Sequence, residues 1–203
     1  MGHLNLRFNM RVPMPAVPAT KQRAKSLATR EKLIAAAAAE FRTVGYFNTD
    51  TNKIAVRAGY APATFYKHFK NKLGVFLAAY EAWVAEEWRA LESADEDAEA
   101  LIRTVVAHHK RHLLFRTDLR ALAATEPEVK RYQNKLRREQ VKRLAELAPD
   151  LAPIDDDWSD PVFLLLTMER VSDAIADGSA KASHASEAKL IGNLVKLIDS
   201  LRH

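Results

Sequence analysis

The sequence predicts an all-α protein of about nine helices. Three observations predict it. Only 6 of the 203 residues are glycine, whereas glycine usually supplies about 7% of a chain. Alanine is abundant, with 34 residues, and it is the strongest helix former. Apolar residues recur at three- and four-residue spacing with few β-branched runs between them, which is the helical period. The chain is 48% hydrophobic and 28% charged, an ordinary globular balance. Its length allows one domain or two small ones with a real core.

The elements follow in order. Residues 1–24 carry Pro13, Pro15 and Pro18 among Arg7, Arg11, Lys21 and Arg23. Prolines this dense disfavour a helix, so the reading is a mobile basic arm; Met10 and Met14 are alternative starts. The first helix is expected from Ser26 or Thr29 to Val44, with Ile34, Ala37, Ala38, Phe41 and Val44 on its apolar face and Gly45 as its stop. A short second helix runs from Thr49, read as its N-cap, to Ala58, with Gly59 closing it. A third starts at Pro62, a residue suited to the first helical turn. Asn71 then caps a fourth, Lys72 to about Leu91.

Beyond an acidic break at Ser93–Asp97, helices are expected near 96–116, 118–124 and 126–148. Pro149 and Pro153 frame a loop holding Asp155, Asp156 and Asp157. An eighth helix, capped by Ser159 and Asp160, reaches Asp177 and ends at Gly178. A ninth spans about Ser183 to Leu201. The domain reading is therefore an arm at 1–24, a first domain at 25–71 and a second at 72–203.

Charge is unevenly divided. Residues 1–72 hold 13 Lys and Arg against 3 Asp and Glu; residues 73–203 hold 18 against 23. A basic N-terminal third on a mildly acidic body points to a polyanionic partner, and nucleic acid and an anionic membrane both fit. A solvated basic surface would read the same way. No run of ~18 uncharged apolar residues exists, so no transmembrane helix is expected. With no cysteine, disulfide scaffolds, cysteine nucleophiles and thiolate metal sites are excluded. Residues 1–20 lack the apolar core of a signal peptide, so a cytoplasmic protein is the default.

Two short helices joined by a turn containing glycine, the second aromatic and basic, form a helix-turn-helix pattern. Ile54, Ala55 and Ala58 can pack inward, and Phe65 and Phe69, four apart, bury one face of the third helix. Pro62, Ala63, Tyr66 and Lys67 are left on its outer face, and Thr64, Tyr66, His68 and Lys72 offer donors for phosphates. Each alone reads as core, surface packing or solvated charge; in this register together they read as DNA binding.

These residues carry a specific likeness. Thr29-Arg30-Glu31-Lys32-Leu33-Ile34, Phe41, Gly45-Tyr46, Thr49, Ile54-Ala55, Ala58-Gly59 and the run Ala63 to Lys72 resemble the DNA-binding domain of the tetracycline-repressor (TetR) family over about residues 29–75. The resemblance implies that Thr49 caps the second helix beside a phosphate. It implies that Thr64, Tyr66, His68 and Lys72 contact the backbone, and that Pro62, Ala63 and Lys67 read bases. Ala61, where many members have a capping side chain, and Thr51, at a usually aliphatic position, depart from the pattern.

The same resemblance implies a ligand-binding and dimerisation domain downstream, with the last two helices pairing across a two-fold axis. Val162-Phe163-Leu164-Leu165-Leu166 cover all directions of a helix, so the eighth is expected to be buried on opposite sides. Trp83, Trp88, His112, Phe115, Tyr132, Phe163 and Met168, with Trp158, are candidates to line a pocket between the fourth and eighth helices, for an apolar or aromatic ligand. Ordinary core packing would place the same residues inside.

His108 and His112 share a helix face, but no further ligand is evident and Lys110 and Arg111 suggest a polar surface, so no metal is expected. No cofactor motif, Ser-His-acid set, glycine-rich phosphate loop or carboxylate pair stands out, so an enzyme is not expected. The resulting expectation is a homodimeric, ligand-responsive repressor bound to a double-stranded palindromic operator. The alternative is a DNA-bound protein that recruits another protein without an inducer.

Overall fold

The computed structural model describes residues 21–93, 97–147 and 157–201. They form ten helices: α1 (Lys21–Thr43), α2 (Thr51–Arg57), α3 (Pro62–Phe65), α4 (Lys72–Glu92), α5 (Ala98–Arg111), α6 (Leu113–Thr125), α7 (Pro127–Leu147), α8 (Ser159–Ala176), α9 (Ser179–Ala182) and α10 (Glu187–Ser200). No strand occurs among the described residues. Two compact units are present, one ending at Ala82 and the other starting at Trp83, so their boundary falls inside α4. The expected domain edge at 71/72 is where that helix begins.

The first unit is built on α1. Leu33, Ala36, Ala37 and Phe41 are its buried stripe; Ile34 is only half-buried and Val44 is exposed, so the buried face is turned slightly from the expected one. Phe41, Tyr46 and Phe76 form an aromatic cluster with ring centroids 5.0–5.8 Å apart, the separation at which tilted and edge-on pairs attract. Helix α1 begins at Lys21, so residues 21–24, assigned to the arm, are helical; the rest of the arm lies outside the described residues.

The helix-turn-helix corner is set by glycine. Gly59 takes a left-handed φ of 78°, its amide bonds Val56 O and the Tyr60 amide bonds Ala55 O. That is the Schellman pattern, which closes a helix with a residue lacking Cβ. Ile54, Ala55 and Phe65 are fully buried, and the Phe65 and Phe69 rings lie 5.6 Å apart. Asn71 caps α4 as expected, its Oδ1 accepting from the Gly74 amide at 2.9 Å.

In the second unit, Ile102 and Val106 of α5, Leu164 and Ile175 of α8, and Ile191, Leu194 and Ile198 of α10 form one core. The α5–α6 break falls at His112 and not near residue 117. Asp97 caps α5. Ser159 does not cap α8 but is the helix's first residue, held by Asp157 through its amide and hydroxyl. The expected ninth helix starts late: Gly178, at φ 79°, opens the one-turn α9, and the long final helix is α10, capped by Ser186.

Helix α8 corrects one expectation. Leu164 is buried, but Phe163 is 54% exposed and Val162 and Leu166 are exposed too. Burial within the single chain is therefore one-sided. The prolines at 149 and 153 and most of the acidic run at 155–157 lie outside the described residues.

Candidate nucleic-acid interface and inner cavity

In the first unit, Glu40 organises the approach to α2. The Thr49 hydroxyl donates to Glu40 Oε2 at 3.0 Å, and Arg57 Nη1 donates to Glu40 Oε1 at 2.8 Å. One carboxylate on α1 thus holds the residue two before α2 and the last residue within it. The Glu40 side chain is only 12% exposed, which strengthens both contacts over open surface pairs. Thr49 is buried and does not cap α2. Asp50 does: its Oδ1 accepts from the Asn52 and Lys53 amides at 2.8 and 2.9 Å, and the Lys53 amide bond above all holds its carboxyl below the ordinary carboxylate value.

Helix α3 is a single turn started by Pro62, and Ala61 supplies no side-chain cap. Pro62, Ala63, Tyr66 and Lys67 are exposed, while Thr64 and His68 are half-buried. The Tyr66 hydroxyl lies 2.9 Å from the Thr51 hydroxyl, so the unusual threonine at 51 ties the first residue of α2 to the end of α3. Lys72 is placed differently from expectation. Its ammonium donates to the carbonyls of Tyr46 and Thr49 at 2.7 and 2.8 Å and lies 4.2 Å from the Tyr46 ring centre. It fastens the turn that precedes α2.

The second unit contains a buried charge cluster that no local pattern announced. Asp173 of α8 accepts from His109 Nδ1 (2.9 Å) and from Arg116 Nε and Nη2 (3.1 and 3.0 Å). Arg120 Nη1 pairs with the same carboxylate at 2.6 Å. His109 Nε2 lies 3.3 Å from Glu87. Arg116 is 2% exposed and its guanidinium sits 4.9 Å from the Trp83 ring centre.

Burial opposes ionisation of Asp173, but the bonds from His109 and Arg116 outweigh it and hold the carboxyl far below its ordinary value. Burial likewise pushes against His109, and the carboxylates of Asp173 and Glu87 overcome it and raise its pKa. His108 is lowered, chiefly by burial. The expectation of a polar surface around these histidines is corrected, since His108, His109 and His112 are all buried.

A cavity of about 250 Å³ adjoins the cluster, lined from α6, α7 and α8 by Arg116, Arg120, Gln133, Arg137, Leu166, Glu169, Arg170 and Asp173. None of the aromatic pocket candidates lines it. Trp83 and Phe115 are buried with centroids 6.4 Å apart, and His112 packs edge-on to Trp83. Trp88 and Tyr132 are half-buried, covered by Arg143 and Lys135. Met168 packs on the α5–α8–α10 core, Trp158 is half-buried beside Lys142, and Phe163 faces outward.

Residues 33–79 match the family model described as bacterial regulatory proteins, tetR family. The match covers the helix-turn-helix and parts of the helices on either side of it, and that segment is similar to the family's. Solved structures of this type share its fold. A TetR-family transcriptional regulator from Rhodococcus sp. is 18% identical, with a TM-score of 0.66 over 86% of this chain and 98% of its own. A transcriptional regulator from Pseudomonas aeruginosa PAO1 is 17% identical, with a TM-score of 0.59 over 98% and 96%. The fatty acid degradation regulator FadR from Bacillus halodurans is 20% identical, with a TM-score of 0.51 over 84% and 94%.

The chain's helix-turn-helix is α2, the Gly59 turn and α3, within the first unit, and the unit that starts at Trp83 is helical as well. Among the described residues no helix is long and apolar enough to cross a membrane.

Proposed function

We propose that this protein is a tetR-family repressor that grips a palindromic operator as a homodimer and lets go when a small anionic molecule enters its second unit. The observation that carries the DNA reading is the outer face of α3. Pro62, Ala63 and Lys67 are exposed on a helix anchored by the buried Phe65, so they are free to meet base edges in a major groove. Thr64, Tyr66 and His68 flank them for the sugar-phosphate backbone. Thr49, Asp50 and Lys72 act inside the unit, positioning α2.

Dimerisation through α8 and α10 is supported by apolar surface left over in the single chain. Val162, Phe163 and Leu166 are exposed, and one turn of helix brings 162, 163 and 166 onto one side. A second copy is the partner that the resemblance implies for these helices. Two recognition helices would then sit about one helical turn, ~34–36 Å, apart. Footprinting on selected genomic fragments is expected to show two symmetric protected half-sites; protection of one asymmetric half-site by a monomer overturns the reading.

Four guanidinium groups against two carboxylates line the cavity, which favours an anion over the purely apolar ligand expected from the aromatic residues. Arginine forks suit carboxylates in particular. The effector acts by population shift, so its grip on the operator-free pose must exceed its grip on the bound one. Small carboxylic acids are expected to weaken operator binding by about 5–150-fold, and operator to weaken their binding equally. Their neutral amides are expected to do neither; an equal response to acid and amide counts against the anionic effector.

A further inference from the structure

Glu86 of α4, His108 of α5 and His112 at the C-cap of α5 bring three ligand atoms within 4.8 Å of one another. From this juxtaposition we infer that the protein binds a divalent transition-metal ion, with two imidazoles and one carboxylate as ligands and an open position toward solvent. The two histidines are four apart, one in the last turn of α5 and the other its C-cap, a spacing that keeps side chains on one face. Their ring centroids are 4.7 Å apart. Glu86 Oε1 stands 3.8 Å from His112 Nε2.

The chemistry of the set favours zinc or a neighbouring ion. Imidazole and carboxylate are borderline-to-hard donors that suit zinc, nickel and cobalt. Three protein ligands leave a fourth position for water or another donor. Bonds of ~2.1 Å ask for donors about 3.4 Å apart in a tetrahedron, so donors as far apart as 4.8 Å must close by about 1.4 Å. Glu86, whose side chain is 43% exposed, already lies 3.8 Å from His112 Nε2 and has room to move closer.

The contacts that Glu86 makes with Arg111 and that His108 makes with Trp83 are weak competitors. Arg111 Nη1 lies 3.5 Å from the same Glu86 oxygen, and both side chains are largely exposed, so their pairing is worth little. The His108 Nε2 contact with the Trp83 carbonyl, at 3.3 Å, is long for a hydrogen bond. Trp83, 4.8 Å from the His108 ring centre, keeps that imidazole upright. Glu87 is engaged elsewhere, on His109.

An ion here ties α4 to α5 within the second unit, independently of the arginine-lined cavity, whose residues lie on α6, α7 and α8. The test uses full-length protein stripped with a chelator and then equilibrated with zinc or cobalt. Elemental analysis after desalting is expected to give one zinc per chain, and cobalt is expected to show the visible absorption of a nitrogen- and oxygen-ligated ion. Zinc should also raise the thermal midpoint, because it binds the folded state.

His108→Ala with His112→Ala is expected to abolish all three signals. Glu86→Gln, a change at an exposed side chain that leaves the fold intact, should weaken zinc by more than the ~10–100-fold typical of outer-shell changes. Wild-type protein that retains no ion at low micromolar free zinc overturns the site. So does unchanged affinity in Glu86→Gln, or unchanged stoichiometry in the double variant.

Discussion

Asp173→Asn is expected to destabilise the protein by about 3–5 kcal/mol, the cost of removing one partner from a buried ion pair. The substitution keeps the shape and removes the charge that Arg116, Arg120 and His109 all address. Arg120 is one-third exposed and can turn to water or to Asp177. Arg116 cannot, being 2% exposed. Chemical denaturation measures the loss; a change under about 1 kcal/mol would mean that water already solvates the cluster.

The pH dependence of the cluster has two signs. Asp173 is depressed in the folded state, so its stabilisation is present above the unfolded value of about 3.9 and fades as pH falls through the lower folded value. His109 is raised. Its contribution is complete below about pH 6.5 and fades as pH rises through the folded value. In Asp173→Asn both dependences should flatten together, because His109 loses an ionic acceptor.

Lys72→Ala and Lys67→Ala are expected to separate fold from recognition. Lys72 makes two charge-assisted bonds to carbonyls, so its loss should cost about 1.5–3 kcal/mol of stability. Operator and random DNA should both bind more weakly, because the turn that positions α2 loosens. Lys67 is exposed and its loss should change stability by no more than about 0.5 kcal/mol. It should relax preference at one base pair by ~1–3 kcal/mol. Denaturation curves and binding to specific and random duplexes decide it. A Lys72→Ala protein of full stability whose salt slope falls by one unit would return Lys72 to the phosphate.

The parts legible in the sequence were those encoded over short spans. Gly59, the Phe65–Phe69 spacing and Asn71 before α4 each act within a turn, and each is where its pattern indicated. Thr49 and Asp50 are both good caps in adjacent positions; composition could not choose, and the carboxylate reaching two amides decided for Asp50. Glu40 escaped notice because its partners are 9 and 17 residues away. Asp173 escaped because it meets His109 and Arg116 across 64 and 57 residues. A pattern of apolar residues also cannot say whether its second face is covered by the same chain, as Phe163 shows.

The single-turn α3 has a consequence for how such a regulator changes its target. Phe65 alone among its four residues is buried, and the clasp between Thr51 and Tyr66 anchors it from outside the base-facing set. Pro62 starts the helix, but Ala63 and Lys67 bear almost no structural duty. Exposed positions of this kind tolerate substitution within about 0.5 kcal/mol. New operator preferences can therefore accumulate there by drift, without a compensating change in the interior, and copies of the gene can diverge in what they read while sharing one scaffold.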